Sequence, residues 1–181
     1  MSEEISEVIR FWFEETTPKQ YWTKDDKFDD TIRNRFASLH NKATEGKLEH
    51  WRETALGALA EIIILDQFSR NLYRGKPESF TSDELCLRLA KDAIGKGFDK
   101  QLDIKKKAFL FLPFMHSEAK EDHEKAIELF SEKGLEQNLD FEYKHKVIID
   151  KFGRYPHRNE ILGRQSTPEE IEFLSKPGSS F

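Results

Sequence analysis

The stretch ALGALAEIIILDQFSR, at residues 55–70, decides the fold because it is too apolar to present a side to solvent. Up to Asp66, Glu61 is the one charged residue among Ala, Leu, Ile and Gly. A surface helix carries an apolar stripe and a polar face, whereas a helix that is apolar all round is buried. The sequence therefore predicts a central helix over about residues 53–70, with the other helices packed around it.

Apolar residues three and four positions apart continue on both sides of this segment, and no series of alternating strands is present. Further helices are predicted over residues 3–15, 24–45, 83–95, 105–117, 120–133 and 140–153. Pro113 is expected to bend or break its helix. After Pro156 we expect a short helix or turn through Leu162, then a last helix with Thr167 as its N-cap and its end near Leu174. The predicted fold class is all-α, and short connections between helices favour antiparallel pairs.

Length and composition limit the class of protein. The chain of 181 residues is predicted to form a single domain over residues 1–181. A net charge of -5 provides no basic surface for neutralising phosphates, so nucleic acid is not an expected partner. Hydrophobic content of 37% and charged content of 35% are typical of a soluble globular protein.

The location is predicted from the cysteine count and the apolar runs. Cys86 is the single cysteine, which excludes an intramolecular disulfide and suits a reducing cytoplasm. The acidic beginning MSEEISE differs from a secretory signal, and no apolar run reaches the roughly 20 residues that span a bilayer. We therefore expect a cytoplasmic protein that does not bind membranes.

Two segments concentrate directed polar groups beside helix breakers. They read DQFSRNLYRG at residues 66–75 and FGRYPHRN at residues 152–159, and each combines an aromatic residue, an Arg-Asn pair and an Arg close to a Gly. Planar guanidinium groups suit the recognition of carboxylate or phosphate. The repeated pattern predicts that the two segments meet in one polar site.

Six stretches of the sequence, two of which contain the polar segments described above, resemble the bacterial domain-of-unknown-function family 924. They are VIRFWF at 8–13, LDQFSRNLYRG at 65–75, LPFMHSE at 112–118, FGRYPHRN at 152–159, STPEE at 166–170 and PGSSF at 177–181. Together they cover essentially the whole chain. The resemblance implies a tetratricopeptide-like, right-handed α-α superhelix of about eight or nine helices, and it implies no particular activity.

The arginines fit two interpretations, a ligand-binding cluster or an internal ion-pair network. Asp66 and Arg70 lie four residues apart on one helix and can pair, while Arg74 would lie one turn further on. Two arginines one turn apart repel each other unless an anion lies between them. That anion is either a ligand or an internal carboxylate such as Asp66, Glu61 or Glu118, and buried charges are usually paired within the protein. Asn71 and Asn159 have a comparable structural reading as caps of helix ends.

The histidines are the remaining candidates. His116 follows Pro113, so the expected break would aim His116 and Glu118 into a cavity. His145 shares a helix face with Ile148 and Ile149, which favours a core histidine. No local pair of metal-ligand spacing is present, so no metal or other cofactor is expected. The candidate ligand-binding residues are Asp66, Arg70, Asn71, Arg74, His116, Glu118, His145, Arg154, His157, Arg158 and Asn159.

Three functions fit these residues. The first is a binding module that presents an Arg-, His- and Asn-rich site to an anionic small molecule or an acidic peptide. The second is a hydrolase-type enzyme in which His116 works with Glu118, Glu61 or Asp66 as proton-transfer groups. The third is an ion-pair network that only holds the helices together in a protein of interaction function. No catalytic motif is present to name a nucleophile, and neither the ligand nor the oligomeric state follows from the sequence.

Overall fold

Helices form all of the regular secondary structure within residues 2–179, the part of the chain that the computed structural model describes. Met1, Ser180 and Phe181 lie outside the described residues, so the segment PGSSF at 177–181 is described only in part. The all-helical prediction is confirmed. The superhelical arrangement and the single-domain organisation stay predictions.

Nine helices lie within the described residues when helices that continue through a π-helical turn are counted once. They are α1 (Glu3–Arg10, continued by a π-turn at Phe11–Glu15), α2 (Pro18–Trp22), α3 (Asp26–Thr44), α4 (Ala55–Ile63, continued by a π-turn at Ile64–Phe68 and by Ser69–Leu72), α5 (Asp83–Gly95), α6 (Ile104–Met115), α7 (Lys120–Phe130), α8 (Glu136–Phe152) and α9 (Pro168–Leu174). Short 3-10 turns lie at Glu49–Glu53, Pro77–Ser79, Asp99–Gln101 and Pro156–Arg158. The predicted number of helices is confirmed.

Helix α4 is the centre of the fold, as its composition predicts. Every residue from Gly57 to Ser69 is buried, and α4 packs against α1, α3, α5 and α6. Because α4 offers no surface to water, its polar side chains must find partners on the surrounding helices. The central helix therefore both organises the core and determines where the polar clusters lie.

The boundaries of α5 and the start of α9 agree well with the sequence pattern. Helix α5 spans Asp83–Gly95 as predicted, and Thr167 caps α9 through a reciprocal capping box with Glu170. Helix α8 begins four residues earlier than the predicted start at residue 140, and its N-cap Leu135 makes no side-chain cap bond. The short α2 was not predicted, although Thr17 and Pro18 supply the same kind of start as α9.

The expected break at Pro113 is wrong. Helix α6 continues through Pro113 to Met115, and His116 closes the helix by donating its backbone N–H to the carbonyl of Leu112. Pro113 lacks the N–H that would bond the carbonyl of Phe109 one turn earlier, so one bond of the ladder is lost while the buried residues on both sides of Pro113 hold the helix in place. The position of His116 is thus set by the regular phase of α6.

The length and apolar character of a helix determine whether it could cross a membrane. Among the helices within residues 2–179, none combines the length and the apolar character that crossing a bilayer requires.

Gly57 lies at the closest backbone approach at the start of α4. A Cβ atom added to Gly57 would lie 2.2 Å from the carbonyl oxygen of Trp51 in the preceding 3-10 turn. We expect Gly57→Ala to lower the free energy of unfolding by about 2–3 kcal/mol, since the fixed backbone must shift. Gly95→Ala is the control, because a Cβ there meets nothing within 4 Å, and we expect a change of about 0.5–1 kcal/mol in the stabilising direction. Urea melts of both variants check this, and equal stability of the two would contradict the close approach.

Candidate functional site

The carboxylate of Asp66 is buried within the π-turn of α4. Its Oδ2 accepts a hydrogen bond from Gln67 Nε2 at 2.6 Å, and its Oδ1 lies 2.7 Å from His116 Nδ1 and 3.2 Å from Arg70 Nη1. Burial alone would raise the pKa of Asp66, but the charges of His116 and Arg70 and these hydrogen bonds outweigh it and hold the pKa well below its usual range. Asp66 is therefore an ionised carboxylate with its partners in fixed positions.

His116 faces Asp66 with one ring nitrogen and solvent with the other. Since the carboxylate of Asp66 is ionised, Nδ1 carries the proton and donates it to Oδ1. The Nε2 atom makes no hydrogen bond within residues 2–179, and it is not among the buried unpaired atoms. The side chain as a whole is 17% exposed. The imidazole is thus held by α4 at one side and accessible at the other.

Arg70 and Arg158 converge on Asp83, a residue that sequence reasoning missed. Arg70 binds Asp83 through two hydrogen bonds of 2.9 and 3.0 Å, and Arg158 Nη1 lies 3.3 Å from Asp83 Oδ2. Asp83 is the first residue of α5, where an acidic residue is expected for the helix dipole alone. The sequence therefore offered no signal for its role as the bridge between the two arginines.

Arg158 is a buried guanidinium with few partners. The Cζ atom of Arg158 lies 4.7 Å from the centre of the Phe80 ring and 4.6 Å from the centre of the Tyr155 ring. Its Nη2 donates to the backbone carbonyl of His116 at 3.0 Å. Its Nε is buried and has no hydrogen-bond partner among the described residues. Burial lowers the pKa of Arg158 in spite of the opposing charge of Asp83. Arg158 thus shares Asp83 with Arg70, which also pairs with Asp66.

The five residues Asp66, Arg70, Asp83, His116 and Arg158 are called the arginine–histidine cluster from here on. The cluster joins the two Arg-Asn segments, but it brings together only one arginine from each. Arg70 comes from α4, and Arg158 comes from the 3-10 turn that follows α8.

Asn71 and Arg74 point away from this cluster. Both bind Asp29 of α3, with distances of 2.8 Å from Asn71 Nδ2 and 2.7 Å from Arg74 Nε. They line a surface cleft of about 570 Å³ together with Asp29, Arg33 and Lys76. Of the sequence-predicted set, this pair therefore forms an ion-pair site of its own.

Glu118 pairs with Arg164, not with His116. Arg164 Nη1 and Nη2 lie 2.6 and 2.9 Å from the two carboxylate oxygens, and the backbone N–H of Tyr155 donates to Glu118 Oε1 at 2.7 Å. Burial would raise the pKa of Glu118, but these bonds lower it below the ordinary value. Glu61 is likewise bound, because Arg52 Nε and Nη2 donate to its two oxygens at 2.8 and 2.7 Å. Both carboxylates are paired within the protein.

Arg154 and Asn159 belong to a third group, around Glu170 of α9. Arg154 binds both oxygens of Glu170 at 2.7 and 2.8 Å, and Asn159 Nδ2 lies 3.3 Å from Oε2. Hydrogen bonds from Arg154 lower the pKa of Glu170 to about 2. Asp150, four residues before Arg154, pairs with Lys146.

The remaining predicted histidines are buried or half-buried. His145 Nδ1 lies 2.7 Å from the carbonyl of Phe141 on the previous turn of α8, and burial lowers its pKa to about 3. Burial and the charge of Arg158 lower the pKa of His157 to about 4. The core position predicted for His145 is confirmed.

A second buried acid–histidine pair escaped sequence reasoning. His123 Nδ1 lies 2.7 Å from Glu142 Oε1, and both side chains are fully buried. His123 Nε2 lies 2.8 Å from the carbonyl of Ser117, which can only accept, so Nε2 carries a proton. One further proton is then shared between Nδ1 and Glu142, and burial raises the pKa of Glu142.

Metal binding has no support in this geometry. Within residues 2–179, no three His, Cys, Asp or Glu side chains lie close enough together to hold a metal ion.

The fold and the cluster define an all-helical protein with a buried acid–histidine pair and two arginines around a central helix. The chain belongs to the family described as bacterial protein of unknown function (DUF924), whose model matches residues 8–178. The solved structure of a protein of unknown function from Agrobacterium tumefaciens is similar, with 35% identity and a TM-score of 0.89 over 94% of this chain and 96% of that chain. No curated protein matches the chain.

Asp66→Asn tests the network around the buried carboxylate. We expect this change to cost about 3–5 kcal/mol of unfolding free energy at pH 7, because Arg70 and His116 lose their charged partner. The folded-state pKa of Asp66 is depressed, so its contribution is present above the unfolded pKa of about 4 and declines as the pH falls further. Denaturant melts at pH 7 and pH 3 should show a smaller difference from the wild type in acid. Asp30→Asn is the control, since Asp30 is 68% exposed in its pair with Arg33, and a loss equal to that of Asp66→Asn would contradict the assignment.

Glu142→Gln tests the shared proton. A glutamine amide N–H can donate to His123 Nδ1, so we expect a change below about 1 kcal/mol at pH 5. The raised pKa of Glu142 means that the wild type loses stability as the pH rises through it, and the variant should gain relative to the wild type at pH 8. His123→Leu should instead cost about 3–5 kcal/mol by leaving a buried carboxyl group unpaired. Melts in which Glu142→Gln is the more costly variant at pH 8 would exclude the shared proton.

Proposed function

We propose that the protein is a binding module for a small oxyanion, which the arginine–histidine cluster recognises. The observation that carries this proposal is the sharing of Asp83 by Arg70 and Arg158, at 2.9 and 3.3 Å from their Nη1 atoms. Asp66 is in turn shared by Arg70 and His116. Two guanidinium groups and the His116 imidazole thus surround two carboxylates, and their N–H groups favour an anion.

The exposure of the cluster supports access for a ligand. The side chains of Arg70 and Asp83 are 22% and 16% exposed, close to the 17% of His116, whereas Arg158 is 9% exposed and held between two rings. A ligand can therefore approach the open edge of His116 and Arg70. Arg158, which is more deeply buried, would attract the ligand through its charge.

The chemistry of the ligand follows from the donors. Guanidinium and imidazolium groups donate charge-assisted hydrogen bonds to carboxylate and phosphate oxygens. A free metabolite and the carboxyl terminus of an acidic peptide both carry such oxygens. The oxyanion is therefore the shared chemistry, and the source is a matter for experiment.

Calorimetric titrations with inorganic phosphate, with acetate and with an acidic peptide that has either a free or an amidated terminus test the proposal. We expect at least one oxyanion to bind and to raise the melting temperature, since a ligand at 100 times its Kd adds about 2.7 kcal/mol of stability. A peptide that binds only with its free terminus would indicate a peptide partner, and phosphate alone would indicate a small molecule.

Two substitutions localise the binding. His116→Asn keeps an amide donor near the position of Nδ1 for Asp66 but removes Nε2, and Arg70→Gln removes the exposed guanidinium. We expect each to weaken binding by about tenfold or more, the loss of one charge-assisted hydrogen bond. His50→Gln and Arg88→Gln are the controls, because both residues are exposed and neither belongs to the cluster. Absence of binding by every anion, or equal binding by the variants and the controls, would leave the purely structural ion-pair reading.

A further inference from the structure

We infer that Asp66 and His116 form a proton-transfer pair, and that the oxyanion of this site is a phosphate monoester that the protein hydrolyses. This inference rests on the proposed function, because the substrate would occupy the same oxyanion site. It extends that function from binding to a reaction and assigns a catalytic residue, His116.

The geometry of the pair supports proton transfer. Asp66 Oδ1 accepts from His116 Nδ1 at 2.7 Å, which orients the ring and directs Nε2 to the open edge of the cluster. Gln67 Nε2 holds the other oxygen of the same carboxylate at 2.6 Å. A buried carboxylate that fixes the orientation of an imidazole and stabilises its protonated form is the arrangement that general acid–base histidines use.

The other candidate proton-transfer groups are occupied. Glu118 and Glu61 each form two hydrogen bonds to an arginine, Arg164 and Arg52 respectively. Neither carboxylate contacts His116 in the hydrogen bonds described above. Of the three acids that the sequence allowed as partners of His116, the geometry points to Asp66.

Water is the nucleophile that fits the site. Cys86 is fully buried, its thiol contacts the carbonyl of Ile62, and burial raises its pKa. The hydroxyl of Ser69 donates to the carbonyl of Leu65 at 2.6 Å and lies 2.8 Å from His40 Nε2. Both side chains are thus turned into the core, away from a substrate at the open edge.

The charged donors favour phosphoryl transfer over acyl transfer. Catalysis of phosphoryl transfer depends mainly on positioning and on positive groups around the equatorial oxygens. Arg70 and Arg158 supply two guanidinium groups to the cluster, and Arg158 also binds the backbone carbonyl of His116 at 3.0 Å. Two guanidinium groups match the charge that develops on a transferring phosphoryl group.

The reaction balances with water as the co-substrate. The oxygen of a water molecule forms a bond to phosphorus as the bond between phosphorus and the ester oxygen breaks. The protonated imidazole of His116 gives its Nε2 proton to the leaving alkoxide, the attacking water on the opposite side of phosphorus releases one proton to solvent, and Nε2 then regains a proton from solvent. Hydrogen phosphate and an alcohol are the products, and the imidazole ends the cycle in its starting state.

Comparison of vanadate with phosphate tests the inference without knowledge of the alcohol. Vanadate adopts the five-coordinate geometry of phosphoryl transfer, and analogues of a transition state bind about 100-fold or more tighter than ground-state ligands. We expect vanadate to bind the wild type at least about 100-fold tighter than phosphate. The protein should also release p-nitrophenol from p-nitrophenyl phosphate, with a pH profile that depends on His116.

A pair of variants separates binding from proton transfer. The amide of His116→Gln lies near the position of Nε2 and can donate to an anion but cannot exchange a proton, so it should keep phosphate binding within about tenfold and lose the preference for vanadate and the turnover. His116→Asn should lose both binding and turnover, and His50→Gln should lose neither. Circular dichroism melts confirm that each variant is folded.

The outcomes distinguish the hydrolase inference from the binding function. Phosphate binding that is sensitive to His116, without preference for vanadate and without turnover, would overturn the hydrolase inference and leave the binding function in place. Absence of phosphate binding would overturn the hydrolase inference, and absence of binding by every anion would overturn the binding function as well. Turnover that persists in His116→Gln would remove His116 from the reaction.

Discussion

The ionised carboxylate of Asp66, buried in the middle of the most apolar helix, is the constraint on which the polar architecture depends. A carboxylate in such a position is strongly unfavourable unless charged and hydrogen-bonding partners surround it. Its partners come from its own helix, through Gln67 and Arg70, and from α6, through His116. The π-turn at Ile64–Phe68 carries Asp66, and such turns interrupt α-helices frequently at functional sites.

Two partners of Asp66, Arg70 and His116, extend the network to other elements of the fold. Arg70 requires Asp83 of α5, Asp83 also binds Arg158, and Arg158 returns to α6 through the carbonyl of His116. Removal of one member of a buried ion pair costs several kcal/mol, whereas well-packed apolar side chains in place of the whole network would cost little or would stabilise the protein. Stability alone therefore gives a weak reason for this many buried charges, and recognition of an anion gives a stronger one.

The sequence predicted the helices that are marked by residues close together in the chain. The apolar stretch that contains Ile62 and Leu65 predicted the central helix, and the pair Thr167–Pro168 predicted the start of α9 because capping depends on neighbours within a turn. The start of α8 at Glu136 was missed because Leu135 carries no capping side chain. The break at Pro113 was predicted wrongly because a proline removes one bond of the ladder, and the tertiary packing of the buried residues around Pro113 outweighs that loss.

The residues of the candidate site could largely be selected from the sequence by their type, but the residues with which they pair could not. Sequence reasoning selected Arg70, His116 and Arg158, yet it did not find Asp83, since the pairing of residues 75 positions apart depends on tertiary packing. It also placed Arg74 in the same site, although Arg74 binds Asp29 on α3. The π-turn changes the helical phase within the segment. Arg74 also lies beyond the end of α4 at Leu72, so helical spacing does not determine where it points.

The most direct measurement of the central claim is the imidazole nitrogen spectrum of His116, recorded by long-range proton–nitrogen NMR at a pH at which the ring is neutral. If Asp66 holds the ring as described, His116 carries its proton on Nδ1, and addition of phosphate shifts the Nε2 resonance and leaves that of His50 unchanged. A His116 that is protonated on Nε2, or whose Nε2 resonance does not respond to phosphate or to any other oxyanion, would contradict the account.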